Sequence, residues 1–111
     1  MLFDTHAHYD DPRFDEDRDA LLASLPAGGV TLVVNAGSSE ASSALALEIA
    51  DRYPFVYATV GVHPHDAKEM DEGSVARLED MLRHPKAVAV GEIGLDYHYD
   101  NSPRDVQKQR F

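Results

Sequence analysis

The sequence predicts an α/β fold with a parallel sheet, built from four strand–helix units. Apolar, β-branched runs begin near residues 2, 30, 56 and 87, a spacing of about 26 to 31 residues. Between them lie segments with apolar residues at helical spacing. The second and fourth runs are near-continuous, as expected for strands that helices cover on both faces of a parallel sheet. Two architectures share this pattern, a doubly wound open sheet and a (β/α)8 barrel. Four units are half of a barrel, which typically takes about 250 residues. The 111 residues read as a single domain over 1–111.

The elements follow in order. Leu2 to His8 is the first strand, and Phe14 to Leu25 a helix with Leu21, Leu22 and Leu25 on its apolar side. Ala27-Gly28-Gly29 ends that helix, glycine being the usual residue past a helix C-terminus. Val30 to Ala36 is the second strand. Ser38 or Ser39 caps a helix that runs to about Tyr53, with Ala41, Leu45 and Ile49 at helical spacing. Phe55 to Val62 is the third strand. The third helix carries Val75, Leu78 and Leu82 and is closed by Pro85. Ala87 to Ile93 is the fourth strand. Ser102-Pro103-Arg104-Asp105 reads as a helix start, with Ser102 as cap and Pro103 at the first helical position. Phe111 falls inside that fresh helix with no cap and no polar tail. The end is therefore expected to be cut, or to pack on something outside this sequence.

Composition narrows the function. There is no Cys, which removes disulfide scaffolds, zinc–thiolate sites and thiol catalysis. No apolar run approaches the roughly 18 residues of a membrane span. The N-terminus carries no secretory pattern, so the cytoplasm is the expected location. Ten basic against 20 acidic residues leave a net charge of −10, a poor surface for holding nucleic acid directly. A nuclease whose bound cations meet the phosphates stays open. Seven of the acids lie in the first 19 residues and read as a solvated loop and helix start. No glycine-rich phosphate loop is present; Gly28-Gly29 precedes a strand, the wrong context for one.

The polar residues fall in one place. Five of the six histidines, His6, His8, His63, His65 and His98, lie at or just past the C-terminal ends of predicted strands, where α/β folds build their sites. His84 lies at a helix end, where it complements the dipole. Asp4, His6 and His8 alternate and so share a face, from which two imidazoles can reach one divalent cation. Glu92, on the face of Val88 and Val90, is a carboxylate expected to be buried. It is then a metal ligand able to bridge two cations, a buried ion pair, or a strand-end residue reaching solvent. Gly91 and Gly94 would allow close backbone approach beside it. In Gly61-Val62-His63-Pro64-His65, Pro64 stiffens the turn that presents two imidazoles, either to a substrate phosphate or a metal-bound water, or else to turn packing. Asp96 either orients a ligand or caps the next helix. Tyr97, His98 and Tyr99 form a stacking rim for a base or simply cover the top of the fold.

The stretches Leu2-Phe3-Asp4-Thr5-His6-Ala7-His8-Tyr9-Asp10, Gly61-Val62-His63-Pro64-His65 and Gly91-Glu92-Ile93-Gly94-Leu95-Asp96-Tyr97 resemble the TatD-type metal-dependent deoxyribonucleases. Gln107 to Phe111 fits the same pattern, and Tyr9 departs from it where an aliphatic residue is more frequent. The resemblance implies a (β/α)8 TIM barrel of the amidohydrolase type, of which this chain carries the first four βα units. It implies hydrolysis of DNA with one to three divalent ions, two expected at this site, of Mg, Mn or Zn. By that likeness His6 and His8 hold one metal and Glu92 bridges two. Glu92 and His63 become the candidate catalytic groups, His63 and His65 the candidate contacts to the substrate phosphate, and Asp4 and Asp96 the candidates for orienting ligands. The family takes further ligands, two His and an Asp, from strands five, six and eight, and that Asp is the candidate general base. None of these has a counterpart in four units. The alternatives are a non-catalytic half-barrel, completed by a missing C-terminal half or a second copy, and a metal-dependent hydrolase of another ester or amide.

Overall fold

A computed structural model describes all 111 residues. The strands are β1 (Leu2–Ala7), β2 (Val30–Ala36), β3 (Val56–Val60) and β4 (Ala87–Val90). The helices are α1 (Arg18–Ser24), α2 (Glu40–Arg52), α3 (Ser74–Met81) and α4 (Arg104–Arg110), with short 3-10 turns at Pro12–Phe14 and Pro64–Glu69. All strand pairs are parallel and the sheet runs in the order β1-β2-β3-β4. A doubly wound sheet reverses its strand order at a switch point; this one advances in one direction, as a barrel wall does.

Local differences from the sequence reading have local causes. β1, β3 and β4 stop at Ala7, Val60 and Val90, short of His8, Val62 and Ile93. The first helix starts at Arg18 instead of Phe14. Asp11 accepts from the Arg13 amide (2.8 Å) and winds Pro12–Phe14 into a separate 3-10 turn. Ser39 is the cap of α2, accepting from the Ser42 amide at 3.0 Å. Ser102 is not a cap. The N-cap position is Pro103, and the Ser102 hydroxyl instead donates to the His65 carbonyl (2.8 Å) and accepts from the Lys68 amide (3.1 Å). His84 lies just beyond the C-terminus of α3 and faces Asp51 of α2 at 3.0 Å.

The core lies between the helices and β2–β3. Leu22, Val33, Ala46, Ile49, Ala50, Val56, Ala58 and Val60 are wholly removed from solvent. β4 is an edge strand, and Val88 and Val90 are 53% and 56% exposed. Glu92 is therefore not buried with them. It lies past the strand end and is about one-third exposed, with a side-chain value of 32%. Of the N-terminal acids Asp10 is drawn inward, while Asp15 and Asp19 stay exposed and pair on the surface. Asp10 accepts from Asn35 (2.8 Å) and Ser42 (2.6 Å), Asp15 pairs with Arg18 (2.7 Å) and Asp19 with Arg52 (3.1 Å).

On the surface, Arg77 of α3 bonds Glu40 of α2 (2.7 Å) and Asp71 (2.8 Å). Hydrogen bonds from Arg77 hold the carboxyl groups of Glu40 and Asp71 below the ordinary range. A lowered folded-state value means stabilisation that is present above the ordinary carboxylate range and lost as acid titrates the groups, below about pH 4. Arg77→Ala is expected to lower the urea midpoint at pH 7 and to lower it by less at pH 3. An equal loss at both values would show that Arg77 acts through packing of its stem alone.

Candidate metal centre

The C-terminal ends of the strands are tied together by backbone bonds that continue past the ladder. The Glu92 amide donates to the Gly37 carbonyl (2.6 Å), the Gly91 amide to Val60 (2.9 Å) and the His63 amide to Ser38 (2.8 Å). The Ser43 hydroxyl, wholly buried on α2, bonds both the amide and the carbonyl of Gly61 at 3.1 Å. Close approach demands glycine at Gly37 and Gly61, where a Cβ would lie 2.8 Å from the Thr59 carbonyl oxygen and 2.7 Å from the Gly91 carbonyl carbon. Gly91 has room for a Cβ, and Gly94 is required for its φ of +152° instead.

These ties bring His6, His8 and Glu92 together. The two Nε2 atoms are 3.1 Å apart, and Glu92 Oε2 lies 3.4 Å from that of His6 and 3.6 Å from that of His8. One donor atom from each residue falls within a sphere of mutual distances under 4.8 Å. His8 Nδ1 faces the Ala36 carbonyl at 3.0 Å. A carbonyl only accepts, so the proton sits on Nδ1 and the Nε2 of neutral His8 is a lone pair aimed inward. A main-chain carbonyl behind a metal-binding imidazole is the usual device for fixing its tautomer. Asp4 is placed differently from its expected role, accepting from the His6 backbone amide (3.2 Å) with no bond to the ring.

His63 faces the other oxygen of the same carboxylate, its Nε2 3.7 Å from Glu92 Oε1. The His65 amide donates to His63 Nδ1 at 3.1 Å, so the neutral His63 ring carries its proton on Nε2, toward the site. His65 Nε2 bonds Asp96 Oδ2 at 2.6 Å. The His98 amide, donating to Asp96 Oδ1 (3.0 Å), and then His65 keep the Asp96 carboxyl below its ordinary range against the effect of partial burial. Ionised Asp96 accepts only, so His65 is the donor. Tyr99 stacks edge-on with His65 (5.7 Å) and His98 (4.5 Å), while Arg104 covers the Tyr97 ring at 4.7 Å. His98 has no bond to Glu92, the carboxylate that gathers His6, His8 and His63. His8, His63, His65 and Glu92, with Ser38, Lys68 and Asn101, line one wide polar cleft.

Four residues that hold the site had no role assigned from the sequence: Asn35 and Ser42, which lie outside the motifs, and Asp10 and Gln107, which lie inside them. Asn35 is wholly buried at the end of β2; its Oδ1 accepts from the Tyr9 amide (2.6 Å) and its Nδ2 donates to Asp10. Asp10, held also by Ser42, thereby fixes the chain that leaves His8. An Asn inside the apolar run Val30–Ala36 is the same kind of anomaly as Glu92 and was open to the same inference. Gln107 carries no anomaly of polarity, because a Gln on a short helix is ordinary until its burial is known; its only signal is that Gln107 to Phe111 fits the family pattern.

A family model described as TatD related DNase matches residues 3–111. This chain belongs to the TatD-related DNase family. Among curated TatD relatives it is similar to the uncharacterized metal-dependent hydrolase YabD of Bacillus subtilis, with 41% identity over 111 residues, covering 100% of this chain and 44% of that protein. It is similar also to the 3'-5' ssDNA/RNA exonuclease TatD of Cronobacter turicensis, with 37% identity over 110 residues, covering 99% of this chain and 42% of the relative. The crystal structure of the TatD homologue YJJV from Escherichia coli superposes with a TM-score of 0.85 at 34% identity, over 97% of this chain and 42% of that one. An amidohydrolase structure from Saccharomyces cerevisiae gives 0.81 at 25% identity, over 98% and 42%. The chain thus spans less than half the length of the TatD relatives it matches, and its four units are the first half of a TIM barrel of their type.

Proposed function

We propose that this chain supplies the first half of a divalent-metal phosphodiesterase site that hydrolyses DNA. The observation that carries the reading is the convergence of His6, His8 and Glu92, with the His8 tautomer set by Ala36. Two imidazole nitrogens and a carboxylate oxygen fit a divalent ion, and suit zinc or manganese better than the all-oxygen preference of magnesium. Bound there, the ion supplies Lewis-acid polarisation of a phosphoryl oxygen and lowers the pKa of water. His6 and His8 bind from β1 and its end. Glu92 presents Oε2 to that pair and Oε1 to His63, the arrangement of a carboxylate that can serve two cations. His63 offers its Nε2 proton to a phosphate oxygen, and His65 beside it is held by Asp96. Relatives named ssDNA/RNA exonucleases support a nucleic-acid substrate. With a net charge of −10, the protein surface itself repels phosphates, so bound cations become their main point of attachment.

The test uses the intact protein that carries these residues and an end-labelled single-stranded DNA oligonucleotide. Cleavage is expected with Mn²⁺ or Mg²⁺, lost in EDTA and restored by metal. Metal binding with hydrolysis of a simple ester and no DNA cleavage would move the substrate class. Absence of divalent-ion binding by calorimetry would remove the reading altogether.

A further inference from the structure

Gln107 is the one large polar side chain on α4 that is almost fully buried, at 1% exposure, and the reading above gives it no task. A buried carboxamide is costly unless its acceptor and donors are met. Here they are. Oε1 accepts from the Asp96 amide (2.8 Å), and Nε2 donates to the carbonyls of Asp96 (2.9 Å) and Ser102 (2.8 Å). One side chain closes on both main-chain polar groups of Asp96, as a neighbouring strand would. The two residues it grips are the two that hold His65. The Asp96 carboxylate takes the ring at 2.6 Å, and the Ser102 hydroxyl takes the backbone carbonyl at 2.8 Å. His65 in turn donates its amide to His63 Nδ1 (3.1 Å) and packs edge-on against that ring at 4.3 Å.

We infer that Gln107 is a positioning residue that sets the His63–Pro64–His65 turn against Glu92, acting through Asp96 and Ser102. Its functional consequence rests on the phosphodiesterase reading; its geometry rests on the hydrogen bonds alone. Gln107 bonds none of His6, His8 and Glu92, so its loss is expected to misplace the imidazoles and spare the metal. A glutamine that only stabilised α4 would leave both imidazoles unaffected.

The test is made on the intact, zinc-loaded protein with Gln107→Glu, which keeps the acceptor for the Asp96 amide and sets a second acceptor against two carbonyls. Cooperative unfolding and zinc affinity should persist. The proton resonance of His65 Nε2, deshielded by its bond to Asp96, should shift or disappear, and the nitrogen shifts of His63 should move with it. KM for a single-stranded DNA oligonucleotide should rise about tenfold with a smaller change in kcat. A folded variant with wild-type imidazole resonances and wild-type KM overturns the inference. Gln107→Asn, one methylene short of Asp96, takes the same readouts if Gln107→Glu does not fold. If the wild type cleaves no phosphodiester, the functional reading falls by itself, and the imidazole resonances still decide whether Gln107 holds His65.

Discussion

Glu92→Gln is expected to abolish metal-dependent hydrolysis by the intact protein while leaving its fold in place. The carboxylate is the one group that faces all three of His6, His8 and His63, at 3.4, 3.6 and 3.7 Å. Replacing one oxygen by an amide NH2 removes a charge and turns one of its two faces from acceptor to donor. Whichever face keeps the oxygen, the other can no longer bind a cation. Loss of a group behind a metal ligand already costs about 10- to 100-fold in affinity or activity, so loss of a ligand should exceed that. The fold is spared because Glu92 is partly exposed and lies beyond β4, and because glutamine retains its backbone amide bond to Gly37. Calorimetric titration with Mn²⁺, the initial rate on DNA and the far-ultraviolet dichroism together read the result. Full rate at saturating Mn²⁺ would end the bridging role.

Ile49→Ala should bring the largest loss of stability. Ile49 is wholly buried on α2, in the cluster that holds Leu22, Val33, Val56, Ala58 and Val60. Truncating it removes three carbons from a site walled by strands that cannot collapse inward, and changes of this kind cost about 2–5 kcal/mol. Whole domains are stable by only about 5–15 kcal/mol. Urea unfolding should show a much lower midpoint with an unchanged slope, and Ile49→Val should cost about 0.5–1.5 kcal/mol. If alanine cost no more than valine, α2 would not be packed on the sheet as described. Because Ser43 on the same helix holds both polar groups of Gly61, a loosened α2 should also disturb the turn that carries His63.

Much of this was legible in the chain. The spacing of the apolar runs marked all four strands, and Val30–Ala36 matched to the residue. A serine cap for α2, at Ser38 or Ser39, followed from residue type and the structure chose Ser39; the family followed from its motifs. Boundaries near the site were less legible. Phe14 and Leu21 fit one helical face, yet Asp11 diverts the chain into a 3-10 turn before α1, a choice made by one local hydrogen bond. Ser102-Pro103 has the composition of a helix start, but the hydroxyl is used 37 residues away at His65. Glu92 was expected to be buried because strand alternation was carried past Val90, where the ladder had already ended.

The sequence by itself determined the parallel βα succession and placed His6, His8, His63 and Glu92 at strand ends. Periodicity of two and of 3.6 residues is a property of neighbours along the chain, and residue type alone identifies a metal donor. Only the tertiary structure decided which nitrogen of each histidine faces the site, and which buried amides hold those rings in place. Those outcomes depend on contacts such as His8 to Ala36, Asn35 to Asp10 and Ser102 to His65, made across 28, 25 and 37 residues. A hydrogen bond between such distant positions leaves no periodic trace. It is set by where the packed sheet brings two backbones, and that is decided only once the core has formed.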